Sequence, residues 1–220
     1  MEEVFSNVYA KNIWGGKPGE INSGSGSLDI ITIPYIEMLS TRAESEGFKG
    51  LIFVDLGCGD FRVGNGILPL CQKYIGADIV DAVIRRNTDL HGNDTTAFLK
   101  LDIIDDELPD GDVCMIRQVL QHLSNDQIAR ILGKINKYKW VFITEHYPSD
   151  DNDPIPNIDK PHGGGIRLAR NSGVYLTEPP FNIPARRIEQ VLEVCLPRSS
   201  DGKDAGVLRT WLYKPEAKWV

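Results

Sequence analysis

Between residues 51 and 145, short apolar runs alternate with longer stretches of helical character, and this alternation restricts the fold more than any other feature of the chain. The strand-like runs cover 51–56, 74–79, 96–101, 112–116 and 140–144. The stretches 67–73, 80–91 and 124–138 read as helices, the last with Ser124 as N-cap and Gln127 at the capping-box spacing. Repeated strand–helix units joined by right-handed crossovers imply an α/β protein, with a doubly wound, mostly parallel sheet and helices on both faces. An amphipathic helix is expected within 28–46, beginning at Pro34. Segments 188–196 and 206–213 read as a terminal strand pair around a polar turn. Between them and the core, 146–184 holds seven prolines and Gly163-Gly164-Gly165 with little periodicity, which is too long for a passive connection. The expected organisation is one domain over 1–220: an N-terminal cap (1–50), a cofactor-binding core (51–145), a substrate loop (146–184) and the strand pair (185–220).

Composition narrows the partners. A net charge of −7 over 220 residues argues against an extended phosphate-binding surface, so nucleic acid is not an expected partner. No apolar run approaches the roughly 20 residues of a membrane span. The acidic start, Met1-Glu2-Glu3, lacks a secretory apolar region. Cys58, Cys71, Cys114 and Cys195 have no paired spacing and read as reduced thiols, so a cytoplasmic protein is expected. Oligomeric state has no signature in the sequence.

The chemistry concentrates at strand ends. Phe53-Val54-Asp55-Leu56-Gly57-Cys58-Gly59-Asp60 is a strand running into a glycine-spaced turn, where the backbone can approach a ligand closely. Asp78 follows Gly57 by 21 residues, a spacing at which a carboxylate meets ribose hydroxyls. Asp102, Arg117, Gln118, Glu145 and His146 stand at the later strand ends, where open α/β sheets bind ligands, and are expected to converge on one crevice. A dinucleotide fold requires a third glycine, but Arg62 stands at that position. Asp55 and Asp60 would also repel a pyrophosphate. S-adenosylmethionine, with its ammonium, sulfonium and ribose, suits acids around the turn.

These residues resemble the class I S-adenosylmethionine-dependent methyltransferases. Val54-Asp55-Leu56-Gly57-Cys58-Gly59-Asp60 is similar to the nucleotide-binding motif, Ala77-Asp78-Ile79 to the ribose motif, and Leu101-Asp102-Ile103 to the adenine motif. Arg117-Gln118-Val119-Leu120-Gln121-His122-Leu123 resembles the segment that closes over the cofactor. The resemblance spans about residues 28–145 and implies a seven-stranded sheet with an antiparallel last strand. Gly24-Ser25-Gly26-Ser27, the Val119–Ser124 segment, the later glycines and Pro179-Pro180-Phe181-Asn182 resemble a bacterial and viral group associated with glycan synthesis. That likeness implies a sugar hydroxyl as acceptor and places Ser25 near the cofactor. The long helix that the family usually has after strand five is replaced here by the proline-rich loop.

The expected function is methyl transfer to a hydroxyl of a glycan or small molecule. Methylating a hydroxyl requires removal of its proton, and histidine is suited to this near neutral pH. His146 is the first candidate base; His122 and His162, the latter with Asp159, are the others, and Glu145 is a candidate to hold a substrate hydroxyl. Each has a plainer alternative: Asp55 and the glycines as a tight turn, Asp78 and Asp102 as helix caps, His122 as a structural residue. Asp150, Asp151, Asp153 and Asp159 match no metal-ligand spacing and read as a solvated loop, so no metal is expected. Transfer to an amine, or a non-catalytic binding module, remains the alternative reading.

Overall fold

The computed structural model describes residues 1–196 and 206–216. Its sheet has seven strands in the order β3-β2-β1-β4-β5-β7-β6. The order reverses after β1, the place where open α/β sheets put their ligand-binding turn. The chain divides into two compact units, 1–115 and 116–220.

The first unit begins with α1 (Glu2–Ala10) and α2 (Asp29–Ser45), followed by β1 (Leu51–Leu56), α3 (Arg62–Ile67), β2 (Cys71–Asp78), α4 (Asp81–His91) and β3 (Thr96–Lys100). Strands β1–β2 and β2–β3 pair in parallel. Phe53, Val54 and Leu56 of β1 have no exposed surface, as expected of a strand covered on both sides. Phe61 lies 4.9 Å from the Phe98 ring and 5.2 Å from the Tyr74 ring, and this aromatic cluster braces the turn after β1.

Two helix expectations are corrected. Helix α2 starts at Asp29 and carries Pro34 inside it. Proline removes the bond to the carbonyl of Ile30, and Ile30 is exposed, so water can satisfy that carbonyl. The helix expected over 67–73 lies earlier, at α3, and β2 already starts at Cys71. Gly64 and Gly66 lower the helix propensity of α3 and hide it from a pattern reading. Packing requires the first: a side chain at Gly64 would overlap the Tyr74 hydroxyl and the Phe61 ring, whereas one at Gly66 would meet only the flexible end of Ile36.

The strand β4 (Val113–Arg117) spans the division between the units, and the second unit continues with α5 (Asn125–Lys134), β5 (Trp140–Tyr147), β6 (Ile188–Cys195) and β7 (Val207–Tyr213). The Ser124–Gln127 capping box is present in full. Strand β7 runs antiparallel to both β5 and β6, which bears out the terminal strand pair; the turn between them lies outside the described residues. No α-helix forms between β5 and β6, only short 3₁₀ turns. Among the described residues, no helix is long and apolar enough to cross a membrane.

Candidate functional site

In the first unit, the turn after β1 is built by glycine conformations and closed by acids. Gly57 and Gly59 have φ of +86° and +51°. Gly57 and Cys58 donate their N–H groups to Ala77 O at 2.7 and 3.0 Å, which binds the turn to the end of β2. Gly59 N–H donates to Asp78 Oδ2 at 3.2 Å, and Val80 N–H to Asp78 Oδ1 at 3.0 Å. The turn and Asp78, 19 residues beyond Gly59, are therefore in direct contact. Burial raises the Asp78 carboxyl above its ordinary value, opposed by backbone N–H donors from Val80, Gly59 and Ile79. Asn87 of α4 donates to Gly59 O at 2.7 Å and holds the turn from the other side.

Asp55 lies within β1, where it accepts a 2.6 Å hydrogen bond from the Tyr74 hydroxyl. Burial pushes the neighbouring Cys58 thiol well up, with Asp78 and Asp55 adding to the rise, so it is a protonated packing group at neutral pH. Asp102 N–H donates to Asp106 at 2.8 Å, while Asp102 Oδ1 accepts from Ile104 N–H at 2.9 Å. Leu101 N–H donates to Asp78 O at 3.0 Å, which brings Asp102 to the same sheet end as Asp78, followed by buried Ile103. Ile79 is half-buried beside Asp78.

The N-terminal segment reaches the turn through Ser23, whereas Ser25 is exposed. Ser23 Oγ accepts from Asp60 N–H at 2.8 Å, and Ser23 N–H donates to Asp60 Oδ2 at 3.0 Å. A side chain on Gly59 would collide with Ser23 Oγ. Tyr9 joins the same cluster: burial first, then the charge of Asp78, raises its phenol well above the ordinary value. Sequence reasoning missed Tyr9 and Asn87 because neither belongs to a motif; Ser23 was marked only as the start of the Ser23–Ser27 segment, within which Ser25 was the residue chosen.

In the second unit, Gln118 follows β4 in a left-handed conformation (φ +56°), with its N–H donating to Thr144 O at 2.7 Å and its Nε2 buried without a partner. Arg117 ends β4 half-buried. Glu145 has no exposed surface. Its Oε1 accepts from Val119 and Leu120 N–H at 3.2 and 2.8 Å, and its Oε2 from Gln121 N–H at 3.0 Å. Burial pushes its carboxyl up to about 8, against the pull of those donors and of Arg167. Both oxygens are occupied in shaping the 118–122 segment.

The expectation that Glu145 and His146 follow the strand side by side is corrected. Both lie inside β5, opposite Arg209 and Leu208 of β7. Successive side chains of a strand face opposite sides of the sheet, so the two cannot serve one point together. His146 packs at Gly206, where an added side chain would approach its Nε2 to 3.1 Å.

His122 is held by the triple-glycine loop. Its Nδ1 pairs with Gly163 O at 3.1 Å, and since a carbonyl only accepts, Nδ1 carries the proton. Gly163 N–H and Lys160 Nζ donate to His122 O at 2.9 and 3.2 Å. Burial, assisted by Lys160, lowers the imidazole to about 4, so it is neutral at pH 7. His162 Nδ1 pairs with Gln127 Nε2 at 3.2 Å, beside the α5 cap. Arg167 has no exposed surface and donates to Ile158 O and Leu123 O at 2.6 and 2.7 Å. Its fork ties the loop to the segment after β4, a role no sequence pattern signals. Among the described residues, no three His, Cys, Asp or Glu side chains gather as a metal cluster.

No protein-family profile matches the chain, and no curated protein sequence matches it. Solved structures do. N-methyltransferase NodS from Bradyrhizobium japonicum WM9 in complex with S-adenosyl-L-homocysteine is similar with a TM-score of 0.63 at 11% identity, covering 97% of this chain and 99% of that one. Magnesium protoporphyrin IX methyltransferase (ChlM) from Synechocystis PCC 6803 is similar with a TM-score of 0.55 at 12% identity, over 97% of each chain. Human N-acetylserotonin methyltransferase is similar with a TM-score of 0.54 at 14% identity, over 97% of this chain and 59% of that one. At these identities the likeness establishes the fold, a Rossmann-like seven-stranded methyltransferase sheet.

Proposed function

We propose that the protein is an S-adenosylmethionine-dependent methyltransferase acting on a hydroxyl of a sugar, glycan or small molecule. The observation that carries the donor half is the contact of the Gly59 N–H with the Asp78 carboxylate, in a turn framed by Asp55 and Asp60. The residues present fit that cofactor: two glycines of positive φ keep side chains out of the turn, and the surrounding acids suit an ammonium, a sulfonium and ribose hydroxyls. Bound there, S-adenosylmethionine supplies an electrophilic methyl group. Asp78 and Ile79 would hold the ribose side, and Asp102 and Ile103 the adenine side. Three of the similar structures, NodS, ChlM and the human enzyme, are described with S-adenosylhomocysteine or S-adenosylmethionine, which supports the same assignment.

For the acceptor, His122 is the preferred base. Its ring is neutral at pH 7, and its tautomer is set by Gly163, which makes Nε2, 3.5 Å from the Gln121 amide, the unprotonated nitrogen. An imidazole held near 4 is a weak base, so most of the rate comes from positioning rather than from proton abstraction. Glu145 acts through the backbone it holds, by fixing the segment that carries Gln118 and His122.

Titration calorimetry with S-adenosylmethionine, followed by transfer of labelled methyl to a panel of hydroxyl and amine acceptors, tests the reading. Asp78→Ala is expected to abolish cofactor binding; undiminished binding would sink the donor assignment. His122→Asn is expected to bind cofactor with reduced turnover, and undiminished turnover would pass the base role to His146 or His162. The fold shared with an N-methyltransferase supports amines as the second acceptor class, and methylation of amines alone would select it.

A further inference from the structure

We propose that the second unit carries a saccharide-binding site in a cavity of about 370 Å³ between segment 175–177 and strands β6 and β7. The volume lies within the small-ligand range of about 300–1,000 Å³. One wall is aromatic. Trp211 of β7 donates its indole N–H to the Tyr147 hydroxyl at 3.1 Å, which fixes the ring where it lines the cavity. Tyr175 contributes a second ring, and its hydroxyl is buried without a hydrogen-bond partner. A buried hydroxyl left unmatched is costly, and a bound hydroxyl group would satisfy it.

The other wall is a charged network already fixed in place. Arg209 donates from Nε to Glu193 Oε2 at 2.7 Å and from Nη2 to Asp150 Oδ2 at 2.6 Å, and its guanidinium lies 5.4 Å from the centre of the Tyr147 ring. This pairing engages one oxygen of each carboxylate and leaves the other as an acceptor. Gln190, whose Nε2 sits 3.4 Å from Glu193 Oε2, adds an amide to the lining.

The chemistry selects the ligand class. Two carboxylates against one guanidinium disfavour phosphates and carboxylates, and the density of polar groups disfavours a plain hydrocarbon. An amine would find charge, but its best carboxylate partners already share the Arg209 cation. A pyranose ring matches every element: its C–H face stacks on indole and phenol, its hydroxyls donate to the spare carboxylate oxygens, and they accept from the Gln190 amide and the Tyr175 hydroxyl. The site uses none of the residues of the glycine turn, so it stands independently of the methyl-transfer reading.

The test is saturation-transfer NMR and titration calorimetry on the full chain without cofactor. The probes are the methyl glycosides of glucose, galactose, mannose, fucose and rhamnose, with benzylamine and phenyl phosphate as competitors. At least one glycoside is expected to bind in the millimolar range. Trp211→Ala should weaken it about tenfold, and Tyr175→Phe, which keeps the ring, about fivefold. The proposal is overturned if no glycoside binds, if benzylamine or phenyl phosphate binds and glycosides do not, or if Tyr175→Phe binds as tightly as wild type. The conservative tyrosine variant keeps the test decisive should Trp211→Ala fail to fold.

Discussion

The turn after β1 and the long connection after β5 solve the same problem, placing polar groups at an exact point, by opposite means. At the turn, backbone geometry does the placing: two glycines of positive φ, a parallel ladder, and one carboxylate accepting from Gly59 and Val80. In the connection there is no ladder, and buried polar side chains substitute for one. Asn157 accepts from Tyr175 N–H at 2.8 Å and donates to Tyr175 O and Pro179 O at 2.9 and 2.8 Å. Arg167 spans to two more carbonyls from a position without solvent contact. Backbone-placed sites leave a motif in the sequence, whereas side-chain-placed loops leave only isolated polar residues.

Removing the Arg167 fork is the strongest way to break this comparison. Arg167→Met leaves the Ile158 and Leu123 carbonyls without their donor, at a cost of about 3 kcal/mol. For a chain of this size that lowers Tm by roughly 10 °C. A thermal melt with limited proteolysis of the 148–184 connection checks it, and an unchanged melt would mean the loop is held by something other than its buried polar side chains.

A pH series comes next in magnitude. In the folded protein His122 stays neutral down to about 4. In the unfolded chain it takes up a proton near 6.5. The unfolded state therefore binds more protons between these values, and stability falls as pH drops through that window while it is unaffected by His122 above it. Denaturant midpoints measured from pH 7 to 4.5 carry this loss against the opposite contribution of Glu145, whose carboxyl stands near 8 in the folded protein, so His122→Gln should raise the midpoint at pH 4.5 relative to that at pH 7. An equal slope in the variant would place the proton uptake elsewhere.

The smallest effect discriminates between two serines. Ser23→Ala loses the hydrogen bond to the Asp60 N–H and should weaken cofactor binding about threefold to tenfold, on the order of 1 kcal/mol. Ser25→Ala should bind within about twofold of wild type. Calorimetry on the pair would reverse the assignment if Ser25 proved the sensitive one.

Much of the first region was legible in advance. Asp78 was expected near the turn from spacing alone, and the structure places its carboxylate on Gly59 N–H. The capping box of α5 was readable because four consecutive residues contain the whole device. Helix α3 was misplaced because packing against Tyr74 and Phe61 demanded a glycine at Gly64, which local propensity counts against a helix. Glu145 and His146 were grouped because a strand end was expected after Thr144; three further residues of ladder sent them to opposite faces.

The sequence by itself determined what is local: the alternation of strands and helices, the glycine turn, the acids at strand ends and the α5 cap, each encoded in a few neighbouring residues. Only the tertiary structure decided which serine meets the turn, that Tyr74 occupies Asp55, that Glu145 serves three backbone N–H groups, and that Arg167 is fully buried. Those contacts join residues 19 to 44 positions apart. A side chain's partner at such a separation is set by how elements pack, and packing leaves no periodic trace in the chain.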